Sequence, residues 1–170
     1  MSPHDSTLHD RIFGKLRLTV EDKGKEPTPL GIDATRLVKG LWIGSKPELG
    51  RAVAESGFDL LVLCAEEYQP PSWQFPGVKV IHAPFDDNET GPLPHEKEIA
   101  KKASARVADA LRQGSNVLVT CYAGRNRSGL VCGLALASNG LDPVRAIHLI
   151  QGRRAKSLSN QQFVDLLAAS

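Results

Sequence analysis

The 170-residue sequence predicts an α/β domain with a mostly parallel central sheet flanked by helices. Three observations carry that prediction. Short apolar runs at residues 41–43, 59–64, 78–83 and 116–120 alternate with segments of helical period. Two of them, DLLVLC and NVLVT, are almost unbroken apolar stretches, the pattern of strands buried on both faces. Glycine or proline stands at most of the boundaries, including Gly44, Gly57, Pro84, Gly114 and Gly140.

In chain order, residues 1–31 read as a partly flexible N-terminal extension and residues 32–170 as a single domain. Residues 1–10 are polar and residues 21–29 (EDKGKEPTP) are charged and proline-broken, while residues 12–20 (IFGKLRLTV) alternate enough to suggest an added edge strand. Leu41-Trp42-Ile43 is a short strand ended by Gly44. Pro47 opens a helix running to about Ser56, with Gly57 as its stop. Residues 59–64 form the next strand, and residues 78–83 another that Pro84 stops. Ile99, Ala103, Val107, Ala110 and Leu111 recur at helical spacing between Pro94 and Gln113, ahead of Gly114. Residues 116–120 are a buried strand, and residues 129–138 an all-apolar helix. Asp142 caps a helix with Pro143 in its first turn, through about Gln151, and Ser159 caps the last helix, to about Ala168.

Composition removes several classes of function. The 21 basic and 19 acidic residues leave a formal charge of +2, too weak a bias to imply nucleic acid or an anionic membrane as partner. No apolar run approaches the ~20 residues of a membrane span, so no integral membrane segment is expected. The first twenty residues contain charged positions throughout and no signal-peptide core. Three cysteines are too few and odd in number for a disulfide-framed secreted module, and they suit a reducing cytoplasm. The five histidines (His4, His9, His82, His95 and His148) show no metal-ligand spacing, so neither a metal nor a cofactor is expected.

In open α/β sheets ligands sit at the carboxyl ends of the strands, which directs attention to the loop after Thr120. It reads Cys121-Tyr122-Ala123-Gly124-Arg125-Asn126-Arg127-Ser128 and runs straight into a buried helix. A cysteine at the positive end of a helix dipole ionises more readily than a free thiol. Six residues later, Arg127 can return to the mouth of the loop, where its planar fork can hold two phosphate oxygens at once. Backbone N–H groups of residues 122–126 can cradle an anion, and Gly124 permits the tight turn. The chemistry this suits is attack by a thiolate on a bound phosphate, with Arg127 stabilising the transferring group. A sulfur-transfer loop of the rhodanese type is the nearest look-alike, but it needs neither the arginine at the sixth place nor an upstream acid.

The loop matches the cysteine-x5-arginine-serine signature of the protein tyrosine phosphatase superfamily, and the chain resembles its small dual-specificity branch over roughly residues 32–167. Leu41-Trp42-Ile43-Gly44-Ser45 is similar to that branch's opening strand, and Asn160-Gln161-Gln162-Phe163 to its closing helix. The resemblance implies a protein tyrosine phosphatase-like fold, with Cys121 as nucleophile, Arg127 as phosphate clamp and Ser128 assisting the thiolate to leave. One departure stands out: the family usually places histidine before the cysteine, where this chain has Thr120, whose hydroxyl can replace part of that hydrogen bonding.

An ester also needs a proton for its departing oxygen, and Asp86-Asp87, after the strand at residues 78–83, can reach the same sheet edge. The resemblance and the spacing to Leu93 favour Asp87 as the general acid, 34 residues before the cysteine, with Asp86 as runner-up. Cys64, ending a neighbouring strand, is similar in placement to a cysteine of the phosphoinositide-phosphatase branch that pairs with the nucleophile; it is a candidate redox partner or simply a small buried residue. Cys132 reads as core. Arg125 stands where phosphoinositide-directed members often carry a basic residue, and Arg153, Arg154 and Lys156 read as helix-end charges. The leading expectation is hydrolysis of phosphotyrosine, with or without phosphoserine and phosphothreonine, in a phosphorylated protein. A phosphoinositide or other small phosphate ester is the second, and a catalytically weak phosphate-binding module the third.

Overall fold

A computed structural model of the chain describes residues 25–170. Five strands, β1 (Ala34–Val38), β2 (Leu41–Gly44), β3 (Leu60–Ala65), β4 (Lys79–Phe85) and β5 (Val117–Thr120), form one sheet in the order β1-β2-β5-β3-β4. β1 and β2 are an antiparallel hairpin at one edge, and every other pairing is parallel. The helices are α1 (Ala52–Glu55), α2 (Pro94–Arg112), α3 (Arg127–Ser138), α4 (Pro143–Arg153) and α5 (Gln161–Ala168). Among the described residues no helix is long and apolar enough to cross a membrane.

The two unbroken apolar runs occupy the middle of the sheet, as double-sided burial requires. All six residues of β3 and all four of β5 are buried. Alternation along β3 sends Leu60, Val62 and Cys64 to the main core and Leu61 and Leu63 to a smaller one with Val53, Phe58 and Phe75 on the opposite face. The main core takes its other wall from α2, α3, α4 and α5, so the helical layers are unequal. α3 is central, buried along residues 127–136, and that is why its sequence is apolar all round. At the end of β4, Phe85 packs on Phe163 of α5 with ring centroids 6.1 Å apart. Full burial of a side chain of that size is worth about 1.5–3 kcal/mol. It pins the start of the acidic segment that follows.

Several local expectations are corrected. β1 was not anticipated, because only Leu37 of its five residues is buried and an edge strand shows little apolar pattern. β4 runs through Pro84 to Phe85; as the last strand in the sheet it has no further partner to miss the proline's N–H. The helix expected from Pro47 is only the four residues of α1, since Gly50 sits at φ +118° and gives its N–H to Gln74 O instead of a helical turn. α3 begins at Arg127, so Arg127 and Ser128 belong to its first turn. Asp142 caps α4 as expected, but α5 is capped by Asn160, whose side chain accepts from the N–H groups of Gln162 and Phe163. The edge strand expected at residues 12–20 lies outside the described residues. The described end of the expected extension lies against the domain: Thr28 N–H donates to Ser56 O and Leu30 N–H to Ser56 Oγ.

Candidate active site

β5 delivers Cys121 to the carboxyl edge of the sheet, and residues 121–126 turn back into α3. Cys121 N–H donates to Gly44 O of β2, which keeps the loop's first residue in line with the strands. Gly124 lies at φ +71°, a conformation a side chain resists, and a Cβ there would stand 2.4 Å from the Gly44 carbonyl carbon. Both the turn and the close approach therefore require glycine. The carbonyls of Ala123 and Gly124 accept from Arg154 on the far side of the loop, at 3.1 and 2.7 Å. A trans peptide points its N–H opposite its C=O, so the amides of Gly124 and Arg125 face away from Arg154. Neither has an acceptor among the described residues. The result is a nest of open donors at a helix N-terminus.

Cys121 Sγ lies 3.2 Å from Ser128 Oγ, and both groups are buried. Arg127 is buried as well. Its Nη1 and Nη2 donate to the two oxygens of Glu67 at 2.6 Å each, and Nη1 also to Phe85 O at 3.2 Å. Its Nε is buried with no partner, and Nη2 spends only one of its two protons, which leaves the guanidinium an open Nε–Nη2 edge. Burial works against the charge, yet the Glu67 pair and the neighbouring Cys121 and Asp87 outweigh it and raise the arginine above its ordinary value. The same hydrogen bonds hold the Glu67 carboxyl below the usual carboxylate range against a smaller cost of burial. Glu67 was not foreseen; its only sequence signal is a carboxylate two residues past the end of a buried strand, on the edge that carries the loop.

Asp87 reaches the same cleft. Its oxygens accept from Asn126 Nδ2 at 2.9 Å and from Asn160 Nδ2 at 2.8 Å. Asp86 is turned to local work: its carboxylate accepts from Asp87 N–H, and its own N–H donates to the buried Glu96, which also holds the start of α2. Cys121, Tyr122, Ala123, Arg125, Asn126, Arg127, Asp87, Glu67 and Ser159 line a cavity of about 290 Å³. The Arg125 carbonyl accepts from Leu158 N–H, and its side chain has no partner among the described residues. The Tyr122 ring stands exposed at the rim with Lys46 Nζ 4.9 Å from its centroid and 5.3 Å from that of Tyr68. The Thr120 hydroxyl is spent within the sheet, donating to Val62 O at 2.9 Å, so it does not order the loop as expected.

Cys64 stands level with Cys121, one residue past the Leu63–Thr120 pair of adjacent parallel strands. Burial pushes its thiol well up, and the charge of Cys121 adds to this. Cys132, in α3, is raised by burial too and belongs to the core, as expected. Arg154 is more than the helix-end charge its position suggests. It gives five hydrogen bonds: the two loop carbonyls, both oxygens of Asp33, and Thr35 Oγ1. No local pattern signals that role, because its partners lie 30 to 121 residues away.

Comparison with known proteins places this arrangement. Residues 41–169 match the family model of the dual specificity phosphatase catalytic domain. Human dual specificity phosphatase 28 is 30% identical over 141 residues, covering 81% of this chain and 74% of that protein. Human protein tyrosine phosphatase type IVA 3 is 28% identical over 104 residues, 61% of this chain and 59% of its own length. The crystal structure of human DUSP28 superposes with a TM-score of 0.66 at 26% identity, covering 84% of this chain and 95% of that one. A cysteine and an arginine meeting on one anion-ready loop, within a fold and sequence shared this widely, leave one conclusion: the chain belongs to the dual specificity phosphatase family and is a cysteine-dependent protein phosphatase.

Proposed function

We propose that the chain hydrolyses phosphotyrosine, with or without phosphoserine and phosphothreonine, in protein substrates through a phosphocysteine intermediate, and that residues 32–170 form the catalytic domain. The observation that carries this reading is the convergence of Cys121, Arg127 and Asp87 on one cavity of about 290 Å³. The phosphate enters with its oxygens on the open amides and on the free edge of Arg127, where charge developing in transfer is stabilised by donors already in place. The Cys121 thiolate attacks phosphorus. The P–O bond to the substrate breaks as Asp87 gives its proton to the departing oxygen. Asp87, now a carboxylate, takes a proton from water as the water attacks phosphocysteine. Inorganic phosphate leaves, and Ser128 Oγ stabilises the released thiolate.

The relatives are named as phosphatases, one of dual specificity and one a protein tyrosine phosphatase, and this favours a phosphoprotein over a phosphoinositide or a merely phosphate-binding module. Cys64 is proposed as a redox guard. Neighbouring strands run ~4.8 Å apart, within the Cα separation a disulfide tolerates. A peroxide converts Cys121 to its sulfenic acid, and attack by the Cys64 thiol forms the disulfide and releases water. Three buried free cysteines suit a reducing cytoplasm, where such a bond would be reopened.

One assay series tests the whole reading. Hydrolysis of an aryl phosphate is expected in the wild type and lost in Cys121→Ser. Asp87→Asn should lose most on esters with poor leaving groups, which need the proton. After mild peroxide, a thiol reductant should restore the wild type but not Cys64→Ser. An inactive wild type refutes the phosphatase mechanism, and equal recovery of both proteins removes the redox role.

A further inference from the structure

A second cleft, of about 330 Å³, lies beside the catalytic one. The two share a wall made by Asp87, Asn126 and Ser159, and the second is completed by Glu89, Asn160 and Gln161. Most polar groups of that wall are already committed. Asn126 and Asn160 each donate to one oxygen of Asp87. Asn126 Oδ1 accepts from Asn160 N–H and Ser159 Oγ, and Asn160 Oδ1 from the N–H groups of Gln162 and Phe163. Gln161 Nε2 is held by Asp165. The Glu89 carboxylate remains, with no partner among the described residues. No lysine, arginine or histidine lines this cleft, whereas the catalytic cleft carries the equally unpartnered Arg125 side chain.

We infer that the second cleft is a substrate subsite for a lysine or arginine side chain flanking the phosphorylated residue, with Glu89 as its charge partner. This rests on the phosphoprotein reading above and adds the class of sequence that the site favours. Adjacency is the first reason. An extended peptide advances ~3.3 Å per residue, so a chain with its phosphate at Cys121 carries a near neighbour past the shared wall. Chemistry is the second: the open groups are a carboxylate and the Gln161 side-chain oxygen, which accept hydrogen bonds and attract cations. An acidic flank would meet the Glu89 carboxylate, and like charges across an interface reject a partner. A polyphosphorylated lipid headgroup brings further anions to this side and is disfavoured for the same reason.

The test uses matched phosphotyrosine peptides bearing Lys, Ala or Glu at each of the two positions on either side of the phosphotyrosine. At one position the wild type should prefer Lys over Glu by about three- to tenfold in kcat/KM. The difference should reside in KM and shrink as salt screens the pair. Glu89→Gln should flatten the Lys-to-Glu ratio and Glu89→Lys should invert it. Because the ratio compares two peptides on one protein, any change in chemistry common to both cancels. A ratio of one at every position, a preference for Glu, a preference that survives Glu89→Lys, or faster turnover of inositol phospholipids than of every peptide overturns the subsite. A wild type that hydrolyses neither peptides nor aryl phosphate overturns the subsite and the phosphatase mechanism together.

Discussion

The phosphate-binding loop is held by an arginine on each side, and the two are built alike but finished differently. At the mouth, Arg127 makes a bidentate pair with Glu67 and keeps Nε buried and unpartnered. Behind the loop, Arg154 pairs with Asp33 and spends its remaining donors on Thr35 and on the carbonyls of Ala123 and Gly124. An arginine has five N–H donors. The one that keeps a donor open is equipped to hold a ligand, and the one that keeps none is a strut. The carboxylate partner does not tell them apart, since in both cases it fixes the plane of the fork. What separates them is the unsatisfied valence.

The largest expected effect comes from breaking the open side. Arg127→Lys keeps the charge and loses the fork, so kcat/KM should fall by roughly 10²–10³-fold while the urea midpoint moves little. Arg154→Met should strike both properties. The loop carbonyls lose a charged donor, at a cost of about 2–3 kcal/mol in unfolding free energy. A displaced loop should also reduce kcat by up to about 10²-fold, and Arg154→Lys should recover part of both. If Arg154→Met loses activity at unchanged stability, or stability at unchanged activity, the strut description is wrong.

The smallest effect is in acid. Hydrogen bonds from the arginines hold Glu67 and Asp33 below their ordinary 4.5 and 3.8. A folded pKa below the unfolded one contributes stability that is complete above the ordinary value and lost as pH falls through the folded value. Both side chains are well exposed, at 44% and 57%, so solvent screens each pair. The contribution should be within about 1 kcal/mol. Urea midpoints measured below pH 3.8 should fall more steeply for the wild type than for Asp33→Asn, and parallel curves would mean that the pair is energetically silent.

Where chemistry and structure are packed into one short stretch, the sequence was readable. Eight consecutive residues carry Cys121, Arg127 and Ser128, and the apolar runs of β3 and β5 announce a doubly buried sheet centre whose edge must hold them. The place of Asp87 in the same cleft was accessible through its spacing to the cysteine within a recognised family. Glu67 and Arg154 were not, because their partners lie 60 and up to 121 residues away and only the finished fold joins them. At α5, Ser159 and Asn160 are adjacent and both are good caps. The choice falls to Asn160, whose Nδ2 also reaches Asp87. The shortened α1 shows the converse: proline at the start and glycine at the stop were both present, and the unusual φ of Gly50 between them decided the outcome.

The hairpin of β1 and β2, with Asp33 just before it, reaches outside the residues that match the family model. Asp33 and Thr35 lie upstream of residue 41, where the match to the family model starts. A fragment trimmed to residues 41–169 would retain Cys121, Arg127 and Asp87 yet strip Arg154 of three of its five bonds. The residues that match the family model are therefore fewer than those that brace the loop, and the difference is an anion and a hydroxyl that hold Arg154 from upstream.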